Sequence, residues 1–409
     1  MITTLYADIN GNIYDAPLKQ AVGQNGNNHY LLKEDDLIKL PEGASLTYLP
    51  GREVLFGNDG KISKLKNKFA VAALLPLGYT RTYLPASFKT NNAPTLPLYG
   101  YTAVALYNDE IYVAAIKNNN DNETWNPKNY GTSTLKTKIS YFKKQFPQNR
   151  LIKHLENCSL NWHCYTAQNL FYNRWEMGIP VSKSCNANCL GCISLQEAEC
   201  CKSPQSRITF TPTPEEIAEI GIHHLETAPE GIISFGQGCE GEPSLEFKII
   251  AEAIKKIRAK THLNQININT NAGFSLGIKE IVDAGLDSMR VSIISANENI
   301  YNAYYRCNYS LNNVIESIKY AKKNNVYVSL NMLLFPGLND QPKELKAWLD
   351  FIKETKIDMI QMRNLNFDPN LFLNIFPPEE SAIGIKEFIN SFKEEVPEIK
   401  IGSFTNFIR

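Results

Sequence analysis

At 409 residues the chain is long enough for two or three domains, each with a core of its own. Lys plus Arg and Asp plus Glu stand at 42 each, so no global field steers it toward nucleic acid or an anionic membrane. The opening "MITTLYADINGN" lacks the basic and apolar regions of a secretory signal, and the longest apolar run, "FAVAALLPLGY", holds a proline and is too short to span a bilayer, so a cytoplasmic protein with no membrane association is expected. In that compartment nine cysteines point to metal binding or chemistry ahead of disulfides.

Residues 1 to 132 are rich in Gly, Pro, Asn, Tyr and Thr, with short alternating runs such as "REVLF" and "YTAVALYNDEIYVAAI", and read as a mostly β domain ending in the turn-rich loop "KNNNDNETWNPKNYGT". A helical connector follows over 133–174, through "LKTKISYFKKQF" and "LIKHLENC". From 175 to 365 six strand-like segments, "MGIPVSK", "GIISFGQ", "QININTN", "SMRVSIIS", "VYVSLNMLLF" and "DMIQMRNLN", alternate with amphipathic helices. The first of these helices is bounded by Thr213 as N-cap, Pro214 at the first position and Glu216 completing a capping box. Such alternation implies an α/β fold with a parallel sheet, doubly wound or rolled into a full or partial barrel, with ligands at the C-terminal strand edge. Residues 366–409 form a Phe- and Pro-rich C-terminal extension closing on a helix at "GIKEFINSFKEEV".

The densest chemical signal is "VSKSCNANCLGCIS", which sets Cys185, Cys189 and Cys192 just past the first of the six strands. Three thiolates at this spacing can wrap one soft metal centre and leave a coordination position open, unlike a structural zinc site closed by four protein ligands. A fourth ligand from Cys164, Cys200 or Cys201 would close it.

The CxxxCxxC spacing followed by repeated βα units resembles the radical S-adenosylmethionine (SAM) superfamily. The resemblance covers residues 175–365 and implies a partial (β/α)6 TIM-like barrel. It also implies a [4Fe-4S] cluster on the three cysteines, whose fourth iron chelates SAM, and one-electron cleavage of SAM to a 5'-deoxyadenosyl radical. "ISFGQGCEGEPSLE" is similar to the family's glycine-rich GGEP element, with Glu240 where the family has its first glycine; this implies that Gly241, Glu242 and Pro243 bind the SAM amino group. "NTNAG" implies Thr270 and Asn271 near the SAM carboxylate or ribose, and "RVSIIS" implies Ser292, flanked by Arg290 and Ser295, as a further contact, with Asn331 on the fifth strand.

Cys239 sits inside the glycine-rich loop, where it would ligate a second cluster, donate a hydrogen atom or bind substrate. An auxiliary iron-sulfur cluster on Cys164, Cys200, Cys201 and Cys239, with Cys158 as a substitute ligand, is one expectation. Cys307 is expected to be structural. Two functions compete: an enzyme that reductively cleaves SAM for hydrogen abstraction, fed by an electron donor such as flavodoxin or ferredoxin and acting on a small molecule, a peptide or RNA, and a zinc-stabilised partner-binding module without SAM chemistry.

Overall fold

The protein is described by a computed structural model over residues 1–96, 98–118, 123–195, 203, 205–405 and 407–408. It divides into two compact units: Met1–Asp121 with Met332–Asp350 and Met362–Phe404, and Asn122–Asn331 with Phe351–Gln361 and Thr405–Arg409. No helix among the described residues is long and apolar enough to cross a membrane.

The first unit carries an antiparallel sheet of eleven strands. They are β1 (Thr3–Ala7), β2 (Ile13–Asn25), β3 (Asn28–Leu31), β4 (Leu37–Lys39), β5 (Ser45–Asn58), β6 (Lys61–Leu74), β7 (Tyr79–Arg81), β8 (Leu84–Pro85), β9 (Ser87–Lys89), β10 (Tyr101–Tyr107) and β11 (Glu110–Lys117). Two hairpins turn on a pair of residues with positive φ, Asp59-Gly60 between β5 and β6 and Asn108-Asp109 between β10 and β11, the conformation whose twist matches that of the paired strands. Residues two apart share a face, so Leu5/Ala7, Val71/Ala73 and Val113/Ala115 pool into one core.

Arg52 and Asp368, 1% and 0% exposed, pair at 2.5 Å inside this unit. The guanidinium also donates to Pro94 O, and the carboxylate also accepts from the backbone N–H groups of Leu96 and Asn370. Asp368→Ala strands a buried cation, and we expect a loss of about 3–5 kcal/mol, read by urea denaturation of the full chain.

The second unit begins with helices α1 (Leu135–Gln145), α2 (Arg150–Asn161) and α3 (Tyr165–Tyr172). Strands β12 (Glu176–Gly178), β13 (Ile232–Phe235), β14 (Gln265–Thr270), β15 (Ser288–Ile293), β16 (Tyr327–Leu334) and β17 (Met359–Asn364) then lie side by side in chain order, the first three pairings parallel. Helices α4 (Pro214–Thr227), α5 (Phe247–Arg258), α6 (Ser275–Asp283), α7 (Glu298–Tyr305), α8 (Leu311–Lys323) and α9 (Pro342–Thr355) connect them, with residues 332–334 of β16, 342–350 of α9 and 362–364 of β17 counted in the first unit. The Thr213/Glu216 capping box starts α4 as its sequence dictates.

Strands buried on both faces read as continuous apolar runs, but these alternate. Ile266 and Ile268 of β14, and Met289, Val291 and Ile293 of β15, are wholly buried on one face. Asn267, Asn269, Ser288, Arg290 and Ser292 fall on the other, where Ser288 Oγ donates to Asn267 Oδ1 and Asn267 Nδ2 to Ser234 Oγ. Glu176 joins them, accepting from Ser234 Oγ and Thr405 Oγ1 and pairing with Arg290. One face of this sheet is reserved for polar groups.

Candidate functional site

Three loops at the C-terminal strand ends build the site. The chain leaves β12 through Ile179–Ser182, and the loop after β13 runs against it: Gly241 N donates to Ser182 O at 2.8 Å and Glu242 N to Ser184 O at 2.9 Å. A β-carbon on Gly241 would stand 1.9 Å from Ser184 O, so only glycine permits this approach. Gly236, at φ +80°, is required for the same reason, since a β-carbon there would meet Asn269 O at 1.8 Å.

Glu240, the departure from the family's glycine, locks the two loops together. Its buried carboxylate accepts backbone N–H bonds from Val181 and Ser182 on one side and from Gly236 and Gln237 on the other, at 2.7–2.9 Å. Burial pushes its pKa up to about 7 even against these donors. An unpaired acidic residue in a glycine-rich loop is the signal that would have marked it as an anchor.

Glu242 does the same for the third loop. It accepts from Asn271 N at 2.8 Å, Ser244 N at 3.0 Å and the Thr270 hydroxyl, while Asn271 Nδ2 donates to Asn186 Oδ1 at 2.7 Å in the cysteine loop. Burial raises the Glu242 carboxyl and these donors lower it. Pro243 begins a short 3-10 turn capped by the Glu242 side chain. Gly241, Glu242, Thr270 and Asn271 therefore form one hydrogen-bonded constellation with the cysteine loop, and Pro243 follows Glu242 in the chain. Ser292 and Asn331 form a second pair, their side chains 3.5 Å apart, with Ser292 O accepting from Tyr305 Oη. Ser295 caps the turn at Asn297.

Cys185, Cys189 and Cys192 are partly exposed thiols. Burial pushes Cys185 and Cys189 up. Cys192 is lowered: burial opposes ionisation, but the Ser194 hydroxyl, neighbouring backbone N–H groups and Arg207, whose guanidinium stands 3.8 Å from the sulfur, outweigh it. The loop rests on the end of α7, where Asn188 N and Leu190 N donate to Tyr305 O and Tyr304 O and Arg306 Nε to Asn188 O. In α7 the Tyr305 ring packs tilted against Tyr301 and edge-on to Tyr304, and the Tyr309 ring sits where a Gly273 β-carbon would be. Sequence reasoning left out this tyrosine group and Arg207's place at Cys192; the dense "YNAYYRCNY" run was the available signal for the first. Three thiols around glycine-permitted backbone, with no fourth ligand among residues 181–195, suit a soft metal cluster with one open coordination site.

Cys239 points elsewhere, to α2. Its Sγ is 3.4 Å from His154 Nε2, which is 3.5 Å from Cys158 Sγ. The Cys239 thiol and the His154 ring hydrogen-bond to Cys158 and hold it down at about 5, while Cys239 itself is pushed up. Of the expected auxiliary ligands, Cys164 caps α3 close to this group, and Cys200 and Cys201 lie outside the described residues. The part played by His154 was not anticipated. The signal was its four-residue spacing from Cys158. Cys307 donates to Tyr309 O.

Residues 179–349 match the family model described as the radical SAM superfamily. A curated relative, the probable GTP 3',8-cyclase of Pyrococcus horikoshii, is 28% identical over 222 residues, which are 51% of this chain and 66% of that protein, so the match spans just under two thirds of the relative. Among solved structures, a radical SAM methyltransferase from Sphaerobacter thermophilus aligns at 15% identity and a TM-score of 0.40, covering 57% of this chain and 66% of that one. SuiB of Streptococcus suis bound to S-adenosylmethionine aligns at 14% identity and a TM-score of 0.40, covering 76% and 72%. Residues 179–349, which carry the cysteine loop and both loops bonded to it, are thus similar to the radical SAM superfamily.

Proposed function

We propose that this protein is a radical SAM enzyme, with residues 175–365 forming a partial (β/α)6 barrel whose C-terminal strand ends carry the reaction. The observation that carries this reading is the bonding of the CxxxCxxC loop to both other motif loops, through Glu240, Gly241 and Glu242. When bound, a [4Fe-4S] cluster and SAM supply a one-electron cleavage that yields a 5'-deoxyadenosyl radical for hydrogen abstraction from an organic substrate.

The chain's own residues divide the remaining work. Cys185, Cys189 and Cys192 hold the cluster, and Arg207 favours the thiolate of Cys192. The Gly241–Pro243 backbone binds the SAM amino group. Glu242 is a positioning residue: its oxygens are committed to Thr270, Asn271 and Ser244, and it sets the 270–273 turn for the SAM carboxylate or ribose. Ser292 and Asn331 bind on the polar face of the sheet. The buried tyrosines of α7 exclude water from beside the cluster loop, protecting a reactive intermediate. A small external reductant of the flavodoxin or ferredoxin class supplies the electron.

Anaerobically reconstituted full-length protein, given SAM and dithionite, should form 5'-deoxyadenosine above a no-enzyme control, measured by mass spectrometry. No product from protein carrying iron and sulfide would overturn the proposal.

A further inference from the structure

The group formed by His154, Cys158 and Cys239 joins α2 to the loop after β13, apart from the three cysteines of the proposed cluster loop, and is the set of three metal-ligand side chains that the described residues draw together. Its three donor atoms lie within 4.8 Å of one another. Helix α2 presents His154 and Cys158 four residues apart, one turn on a single face. The loop after β13 brings Cys239 to the same point, with both cysteines almost wholly buried at 1% and 4% exposure. Each sulfur is about one hydrogen-bond length from the same ring nitrogen, at 3.4 and 3.5 Å. Zinc-to-sulfur bonds of about 2.3 Å and zinc-to-nitrogen bonds of about 2.0–2.1 Å at tetrahedral angles set ligand atoms roughly 3.5–3.8 Å apart. The observed separations match one ion seated between the three.

A fourth candidate, Cys164, has its thiol outside that 4.8 Å group but its backbone bonded to it. Cys164 is six residues beyond Cys158, with its backbone N–H bonded to Cys158 O at 3.0 Å, its thiol against the Thr166 hydroxyl, and a charge interaction with Cys158. The edge-on Phe210 ring packs against His154.

We infer that His154, Cys158 and Cys239, completed by Cys164, form a structural site for a single zinc ion, separate from the CxxxCxxC loop. Its role follows from what it joins. Cys239 immediately precedes Glu240, Gly241 and Glu242, so a metal held there ties to α2 the loop that organises the cysteine loop and the 270–273 turn. This assigns Cys239 to a metal, and takes it away from hydrogen-atom donation and from an auxiliary iron-sulfur cluster.

The test uses the full chain carrying Cys185→Ala, Cys189→Ala and Cys192→Ala, so that the outcome is independent of SAM chemistry. After a chelator wash and addition of zinc, this variant should retain about one equivalent per chain by mass spectrometry of metals. Cobalt added instead should give thiolate charge-transfer bands and the visible spectrum of a tetrahedral ion. Adding Cys158→Ser or Cys239→Ser should weaken cobalt binding by more than the roughly 10–100-fold typical of losing an outer-shell partner. His154→Cys should preserve the ion with a shifted charge-transfer band, and His154→Ala should not; circular dichroism confirms that both are folded. Four results would overturn the inference: no stoichiometric zinc, zinc unaffected by the Cys158 and Cys239 substitutions, iron with acid-labile sulfide in the triple variant, or a Cys158–Cys239 disulfide in non-reducing peptide maps.

Discussion

Alanine at any one of Cys185, Cys189 or Cys192 is expected to reduce 5'-deoxyadenosine formation to the level of the no-enzyme control while leaving the chain folded. The two halves of this expectation have separate causes. Removing one thiolate leaves two soft ligands where the proposed cluster needs three, and no side chain among residues 181–195 can replace the one lost. Stability is spared because the loop is held by backbone bonds to Tyr304 and Tyr305 and by the Glu240 carboxylate, none of which involves a cysteine sulfur. A partly exposed thiol removes little buried area, so a change of about 1 kcal/mol, or a shift in Tm of about 2–4 °C, is the most each variant should show. Retained product in any one of the three would sink the cluster assignment. Loss of product with gross unfolding would mean that the loop is structural.

Gly241→Ala should cost about 100-fold in the rate of SAM cleavage, an effect that no loss of a chemical group can explain. The added methyl would stand 1.9 Å from the Ser184 carbonyl, backbone against backbone, with no flexible side chain able to yield. The loops must separate by more than 1 Å, which breaks the Gly241–Ser182 and Glu242–Ser184 bonds and moves Glu242 away from Asn271. Misplacement on that scale at a reacting centre is worth roughly 100-fold. Gly60→Ala provides the control, since nothing lies within 4 Å of its β-carbon position; its strain at φ +74° falls in a hairpin of the first unit and should leave turnover unchanged. Equal turnover by Gly241→Ala and the parent would show that the close approach of the loops has no bearing on SAM cleavage.

Much of this was legible in one dimension because the determining physics is local. Periods of two and 3.6 residues mark strands and helices wherever one face is buried, and Thr213, Pro214 and Glu216 write a helix start within four residues. Strands β12 to β17 lie where alternation sets them, and the cysteine spacing marks a candidate metal loop because the three thiols come from one short segment. The polar alternation within "QININT" and "SMRVSI" also carries the polar face of the sheet.

Contacts between distant segments were not legible. Glu240 reads as a defect in a glycine motif until the fold sets it among four amides from two loops, because a carboxylate's role depends on which donors surround it. The assignment of 332–350 and 362–404 to the unit of the N-terminal strands follows from buried partners more than 200 residues apart, such as Arg52 with Asp368 and Arg81 with the Leu365 carbonyl. His154 and Cys158 read as one turn of an ordinary amphipathic helix, since nothing within reach along the chain supplies a third ligand, and only folding delivers Cys239 to them from 81 residues beyond Cys158. The sequence by itself determined the elements and the cysteine loop that carries the family resemblance, all of which rest on spacing along the chain. Tertiary structure alone decided which carboxylates anchor the loops and where the second set of sulfurs converges, because burial and ligand geometry exist only between segments that folding brings together.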